Sequence, residues 1–172
     1  MSVEPWFRAW RGGQVPASPR ADAAPDVRLW WALVDPAAPV PELLATASRS
    51  PIAPRDSYRT IEAWTEADLA SMHALWWLGR RRSRPDWVSR SLDAAAWHTE
   101  HIQPDNATNR PWAIHVFLDL WRTRALIEGR LHAETMLHNA DAGAGTAATG
   151  PGRLIADIAA DAADALDEML AT

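Results

Sequence analysis

The sequence lacks both cysteine and lysine. Without cysteine, the chain has no disulfide bond, no thiol nucleophile and no thiolate ligand for zinc. Without lysine, it has no side-chain amine for a Schiff base, and all 17 basic residues are arginine. These absences exclude covalent catalysis by a thiol or an amine, and they exclude the cysteine-based zinc modules.

Long apolar runs and an excess of positive charge are also missing. No apolar run approaches the roughly 18 residues of a membrane helix, and Met1–Pro16 has no apolar core of signal-peptide length. The formal net charge of −5 disfavours binding to nucleic-acid phosphates. We therefore expect a cytoplasmic protein that binds neither membranes nor nucleic acid.

Known motifs of nucleophilic catalysis and of phosphate binding are missing as well. The sequence contains neither a Gly-x-Ser-x-Gly elbow nor an HExxH zinc motif. Gly143-Ala-Gly145 lacks the lysine that follows the glycines of a phosphate-binding loop. We predict no cofactor, and the sequence motifs do not favour an enzyme.

The composition is that of a globular protein with a hydrophobic core. Of 172 residues, 48% are apolar and 23% are charged. Nine of the thirteen prolines precede residue 55, which predicts a mostly irregular, Pro-rich arm over residues 1–60, packed on a helical domain of residues 61–172. Within the arm, Arg28–Val34 is either a strand or a helical turn, and Pro41–Ala47 is a short helix.

Apolar residues recur every three to four positions after residue 65, which is the period of an α-helix. Five helices are predicted. The first begins at the capping-box variant Thr65–Asp68, and the second runs from Pro85 to about Ile102. The third runs from Arg110 or Pro111 to about Glu128 with Asn109 as its N-cap, and the last two cover Leu131–Ala140 and Arg153–Leu170. Gly129 is the predicted break between the third and the fourth. The expected fold class is all-α, with antiparallel helical hairpins and a C-terminal helix.

The last predicted helix has an apolar and an acidic face. The apolar face, which we expect to pack on the body, holds Leu154, Ile158, Ala162, Ala165 and Met169. The opposite stripe, which we expect to face solvent or the arginines at Arg80–Arg84, holds Asp157, Asp161, Asp164 and Glu168.

Two segments of the body look alike and predict a two-copy α-hairpin repeat of about 40 residues. The sequence HALWWL that begins at His73 corresponds to HVFLDL beginning at His115. Likewise His98 corresponds to His138, and the two pairs of histidines are 42 and 40 residues apart. Hairpin units of this period stack so that each covers the apolar face of its neighbour.

The repeat spacing resembles that of tetratricopeptide hairpins and of pieces of α/α-toroid proteins. Gly79 and Pro104 lie roughly where the tetratricopeptide repeat places its small residue and its terminal proline. The spacing between Gly79 and Pro104 is one residue too long for that repeat, and the paired alanines are out of step. The resemblance covers only about residues 66–140. It therefore implies an architecture of helical hairpins, and it implies no function for this chain.

The segment Trp97–His115 concentrates polar and aromatic residues in a short connection between two helices. Three of the six histidines of the chain lie there. Glu134 and His138 are spaced i, i+4 on a later helix. Together with the three histidines they are candidate metal ligands in a helical bundle: His98, His101, His115, Glu134 and His138. The alternative, which we favour, is that these histidines form hydrogen bonds at helix interfaces, and we predict no metal.

The same segment is the candidate ligand site, because aromatic walls with amide and carboxylate groups are typical of sites for sugars and small polar ligands. The candidate binding residues are Trp97, His101, Asn106, Asn109, Arg110, Trp112 and His115. The candidate acid–base residues are His98, Glu100 and Asp105. The alternative is structural, because Asp and Asn cap helices, Pro fixes a bend and Trp fills a junction.

The eleven tryptophans and the arginine cluster are further candidates for binding a ligand or a partner. In the adjacent pairs Trp30-Trp31 and Trp76-Trp77, we expect one ring in the core and the other at a surface that the N-terminal segment or a partner covers. The arginines of Arg80–Arg84 are candidates for binding phosphate or an acidic partner, and the alternative, which we favour, is a solvated helix end. The leading functional hypothesis is that the chain is a non-catalytic interaction module, which binds a protein partner or a second copy of itself. The alternatives are a small-molecule- or carbohydrate-processing enzyme with its site at Trp97–His115, and a metal-binding bundle.

Overall fold

The computed structural model describes residues 2–40, 50–103, 110–144 and 151–171. Within these ranges the chain forms seven α-helices, one short 3-10 helix at Arg55–Ser57, and no strand. The α-helices are α1 Glu4–Trp10, α2 Pro25–Val34, α3 Ile61–Arg81, α4 Pro85–His101, α5 Ile114–Arg124, α6 Ile127–Ala144 and α7 Pro151–Leu170. The predicted all-α fold with helical hairpins is confirmed.

The helices pack as two hairpins that share one core. Helix α3 packs against α4, α5 packs against α6, and α4 joins the two hairpins through its contact with α5. Helix α7 covers α5 and α6, while α2 covers α3 and α1 packs against α2. One continuous hydrophobic cluster includes residues of all seven helices. None of the described helices is both long enough and apolar enough to cross a membrane.

The N-terminal segment holds more helix than its sequence pattern predicts. Helix α1 was not predicted, and α2 begins at Pro25, which resolves the ambiguity at Arg28–Val34 in favour of a helix. Both helices carry proline in their first turn, where its missing N–H has no helical partner to lose. Phe7 and Trp30 anchor them in the core. The predicted helix Pro41–Ala47 lies outside the described residues.

Two predicted helix starts are wrong. Helix α3 begins four residues before Thr65, because the hydroxyl of Thr60 accepts a hydrogen bond from the Ala63 N–H and caps the helix there. Helix α5 begins at Ile114 rather than at residue 110 or 111, after Ala113 in the left-handed region at φ 60°. The predicted N-cap Asn109 lies outside the described residues.

The break between the third and fourth predicted helices also differs from the prediction. The chain turns at Ala125, which has φ 54°, and Gly129 lies inside α6. A Cβ atom at Gly129 would lie 2.7 Å from the backbone oxygen of Phe117. The glycine therefore allows α6 to approach α5 closely, and it does not end a helix.

Gly79 has the same function in the first hairpin. A Cβ atom there would lie 2.8 Å from Val88 Cγ2 and 2.9 Å from the Val88 backbone nitrogen. Replacing an ordinary glycine inside a helix by alanine raises the free energy of unfolding by about 1 kcal/mol. We predict instead that Gly79→Ala lowers the free energy of unfolding by about 1–3 kcal/mol, because α3 and α4 must move apart. Urea denaturation followed by circular dichroism measures this, and a gain in stability would contradict the packing argument.

The buried face of α7 agrees with the predicted apolar stripe, with one exception. Leu154, Ile158, Ala162, Ala165 and Met169 are all buried. Asp161, predicted to lie on the acidic outer stripe, is fully buried. In the tryptophan pair Trp76-Trp77 both rings are buried, and the N-terminal segment covers Trp77 through Trp10 of α1.

Candidate functional site

The most polar part of the core is a hydrogen-bonded cluster around Asp161 of α7. Its Oδ2 lies 2.7 Å from Nε2 of His73 in α3 and accepts a hydrogen bond of 2.8 Å from the indole N–H of Trp77. Its Oδ1 accepts hydrogen bonds from Trp10 at 2.9 Å and from Arg11 at 3.0 Å. One buried carboxylate therefore joins α7 to α3 and to the end of α1.

The hydrogen bonds of His73 determine its tautomer. The backbone N–H of Ala113 donates to Nδ1 at 3.2 Å, so this nitrogen carries no proton and Nε2–H donates to Asp161. Burial by itself would raise the pKa of Asp161, but the hydrogen bonds from His73 and Trp10 hold that pKa well below its usual range. Asp161 is thus a charged acceptor whose lone pairs are fully used.

A second histidine–aspartate pair lies between α3 and α4. His98 Nε2 is 2.6 Å from Oδ2 of Asp68, while Oδ1 of Asp68 accepts from the backbone N–H groups of Ile52 and Ala53, both at 2.6 Å. The ring of Trp64 stacks on His98 with 6.1 Å between centroids. This pair fixes the segment that precedes α3 onto the hairpin.

Two further histidines are buried without such partners. Neither ring nitrogen of His115 has a hydrogen-bond partner among the described residues, and its ring packs edge-on against His73 at 4.3 Å. His132 stacks on Phe117 at 4.3 Å, and its Nε2 likewise has no partner there. Burial lowers the pKa of His115 well below its ordinary value and that of His132 to about 4. Both are neutral at physiological pH.

Acid–base chemistry at these groups is opposed by their burial. The side chains of His73, Asp161, His98 and Asp68 are at most 1% exposed. A general acid or base must come within hydrogen-bond distance of its substrate. The arrangement is suited to holding helices together, because each carboxylate satisfies donors from several separate elements.

The candidate metal ligands do not converge. His98 and His115 are buried, whereas His101, Glu134 and His138 are exposed. His101 stacks on Trp97 at 4.5 Å, and Glu134 accepts a hydrogen bond from Arg130. Among the described residues, which include all five candidates, no three His, Asp or Glu side chains are grouped in a way that could hold a metal ion.

The candidate ligand site at Trp97–His115 is described only at its two ends. Asp105, Asn106 and Asn109 lie outside the described residues, so their role stays a prediction. Glu100 is exposed, and Trp112 is fully buried with no partner for its indole N–H among the described residues. The second end of the segment is fixed by an ion pair between Arg110 and Glu66.

A cavity of about 530 Å³ adjoins Arg110. The hydroxyl of Tyr58 donates to Asp26 at 3.1 Å, and both residues line this cavity together with Glu66. Burial raises the pKa of Asp26, and burial beside that carboxylate raises the pKa of Tyr58. The polar groups of this cavity are paired with one another, which is the geometry of a structural junction.

An apolar groove lies at the surface between the ends of α5 and α7. Its volume is about 550 Å³, and its lining consists of Leu118, Trp121, Arg122, Ala125, Leu166, Met169 and Leu170. Leu170 is 77% exposed and Trp121 38%. Five of the seven large exposed apolar side chains of the described residues lie on α5, α6 and α7, including Ile127, Leu131 and Leu137. The groove, with the exposed side chains of Trp121 and Leu170, is therefore an uncovered apolar surface of the described residues.

Neither a protein-family model, nor a curated protein, nor a solved structure matches this chain. The functional argument therefore depends on the geometry of the chain itself. The two-copy repeat stays a prediction, and its corresponding histidines differ in environment, since His98 is buried and His138 is exposed.

Sequence reasoning did not single out the acidic partners of the buried histidines. Asp161 follows Ile158 by three residues and precedes Ala165 by four, so it lies within the arc of the apolar stripe. Asp68 likewise directly precedes the buried Leu69 and lies four residues before the buried Met72. The sequence signal that could have identified both residues is a carboxylate within the apolar face of a helix. Such a carboxylate is buried and therefore needs hydrogen-bond donors in the core.

Proposed function

We propose that the chain is a non-catalytic interaction module that binds an acidic amphipathic helix of a partner protein in the groove between α5 and α7. The observation that supports this proposal is the groove, which is apolar, open to solvent and bounded by two helices. An amphipathic helix that lays its apolar face into such a groove is a recurrent mode of recognition. Trp121 and Leu170 are the expected anchors, because aromatic and large aliphatic side chains supply most of the binding energy at interfaces.

The charges at the groove favour an acidic partner. Arg122 is the only charged residue among those described that line it, and the guanidinium of Arg130 lies 5.2 Å from the centroid of the Trp121 ring. A partner helix with carboxylates beside its apolar face would meet these two guanidinium groups, although each also has an acidic neighbour in the chain, Asp119 for Arg122 and Glu134 for Arg130. A basic helix would be repelled by them. The complementary partner is therefore apolar on one face and acidic along its edges.

The proposal predicts that one charge in the groove abolishes partner capture. We expect Leu170→Asp to weaken binding of the captured partner at least about thirtyfold, because a carboxylate would be buried against apolar groups beside an acidic helix. Trp121→Ser should act in the same direction. The matched control is Val15→Asp, because Val15 is 60% exposed and lies far along the chain from the groove. Quantitative pull-down from the source lysate, followed by titration of the identified partner, measures the effect.

Three outcomes would contradict the proposal. Equal binding by wild type, Leu170→Asp and Val15→Asp would remove the groove from the interaction. A change of oligomeric state in Leu170→Asp by light scattering, with no other partner, would make the occupant a second copy of the chain. Catalytic turnover by the isolated monomer would make the module an enzyme.

A further inference from the structure

Helix α1 is joined to the rest of the fold by few elements. It packs mainly on α2, and it is only seven residues long. Residues 11–24, which connect it to α2, contain no helix. A helix this short depends on packing for its stability, and a terminal element can open locally at a lower cost than global unfolding. Helix α1 can therefore separate from α3 and α7 while the helices behind it stay packed.

The contacts of α1 with α3 cover two of the side chains that enclose His115 of α5. The ring of Phe7 lies 6.3 Å from that of His73, and the ring of Trp10 lies 5.3 Å from that of Trp77. The rings of His73 and Trp77 in turn lie 4.3 Å and 6.2 Å from the ring of His115. Separation of α1 would expose both neighbours and bring water close to His115.

In the closed structure, where α1 is docked, His115 has no means of stabilising a proton. Both of its ring nitrogens are buried and have no hydrogen-bond partner among the described residues. A charged imidazole in such a place loses its hydration without compensation. The titratable groups that act on His115 are His73 of α3 and Asp161 of α7. The histidines of α4 and α6, His98 and His132, pack against another ring of α5.

Asp161 links the charge of His115 to the docking of α1. Arg11, which directly follows α1, donates to Asp161 Oδ1 at 3.0 Å. When α1 separates, this cation leaves with it, and the negative charge of Asp161 then favours a proton on His115. The carboxylate of Asp119, one turn further along α5, is paired with Arg122 and keeps that partner in either state.

We infer that α1 is an acid-released latch, in which uptake of one proton by His115 favours the open state, with α1 separated from α3 and α7. His115 is neutral in the closed state, whereas an imidazole exposed to water has a pKa of about 6.5. Opening therefore becomes more favourable as the pH falls below about 6.5. The latch does not depend on the proposed function, because the groove is lined by residues of α5, α7 and the turn after α5.

The test is hydrogen exchange of the full chain at pH 7, 6 and 5, expressed as protection factors that correct for the intrinsic effect of pH. We expect opening of residues 4–10 to increase about eightfold between pH 6 and pH 5, because one histidine takes up a proton. His115→Phe should remove this increase, since phenylalanine keeps an aromatic ring and cannot be protonated. The matched control is His132→Leu, because His132 is also buried but packs on Phe117. It should keep the eightfold increase.

Helix α3 distinguishes release of α1 from global unfolding. Residues 61–81 should be better protected than residues 4–10 at each pH. Their opening should increase more steeply between pH 6 and pH 5, up to about sixtyfold, because global unfolding exposes both unpartnered histidines. This comparison needs only wild type, so it carries the test should His115→Phe not fold. Opening of α1 that is independent of pH, protection factors that are the same in α1 and α3 throughout, or an unchanged pH dependence of α1 in His115→Phe would each overturn the proposal.

Discussion

Replacing Asp161 by alanine is expected to lower the free energy of unfolding by about 4 kcal/mol or more. The substitution leaves the indole N–H groups of Trp10 and Trp77 and the imidazole of His73 without their acceptor. Each unsatisfied buried donor costs about 1–3 kcal/mol, and a domain of this size has only about 5–15 kcal/mol to lose. Urea denaturation at neutral pH, followed by tryptophan fluorescence and by circular dichroism, measures the change.

Asp164→Ala provides the matched control for this prediction. Asp164 is on the same helix and also pairs with Arg11, at 2.5 Å, but its side chain is 56% exposed. Exposed ion pairs contribute about 0–1 kcal/mol, so the control should change stability by no more than that. Equal losses for the two variants would mean that burial of the cluster contributes nothing, and the structural role of Asp161 would be wrong.

Acid should destabilise the protein through its two unpartnered histidines. Because burial lowers the pKa values of His115 and His132 in the folded state, the unfolded chain binds more protons below about pH 6.5. Stability is therefore fully present above pH 6.5 and falls as the pH falls. Each histidine contributes at most about 1.4 kcal/mol per pH unit, and the pair costs about 2–2.5 kcal/mol between pH 6 and pH 5, because the unfolded histidines are already partly protonated at pH 6.

The buried carboxyl groups with shifted pKa values, Asp161 and Asp26, act at lower pH. The lowered pKa of Asp161 costs stability only as the pH falls below about 4, and the raised pKa of Asp26 offsets part of the histidine effect just above that value. His132→Leu should halve the slope between pH 6 and pH 5, whereas His138→Leu, at an exposed position, should leave it unchanged. Urea denaturation at pH 7, 6 and 5 gives the three slopes. A wild-type stability independent of pH in this range would contradict the assignment.

The helical part of the fold follows from local patterns in the sequence. The 3.6-residue period places Ile158 and Ala165 on the buried face of α7, and the proline at residue 85 opens α4 where it was expected. Helix α1 is only seven residues long, and such a helix depends on packing rather than on propensity. Its core residue Phe7 contacts Trp30 and Trp112, which are distant in sequence.

The candidate sites were harder to predict, because they depend on tertiary packing. Asp161 was assigned to the outer stripe from its charge, although its position on the helix places it beside the apolar residues. Its partner His73 is 88 residues away, and no local pattern links the two. The apolar groove exists because no other helix of the described residues covers the ends of α5 and α7, which a single helix pattern cannot reveal.

The most direct test of partner binding in the groove is hydrogen–deuterium exchange on the chain with and without its captured partner. The account predicts slower exchange on binding in two segments, residues 118–125 and 166–170, which line the groove. The partner should be protected in one acidic amphipathic segment. Protection confined to residues 97–115, with the two groove segments unchanged, would contradict the account and would place the interaction at the connection between α4 and α5.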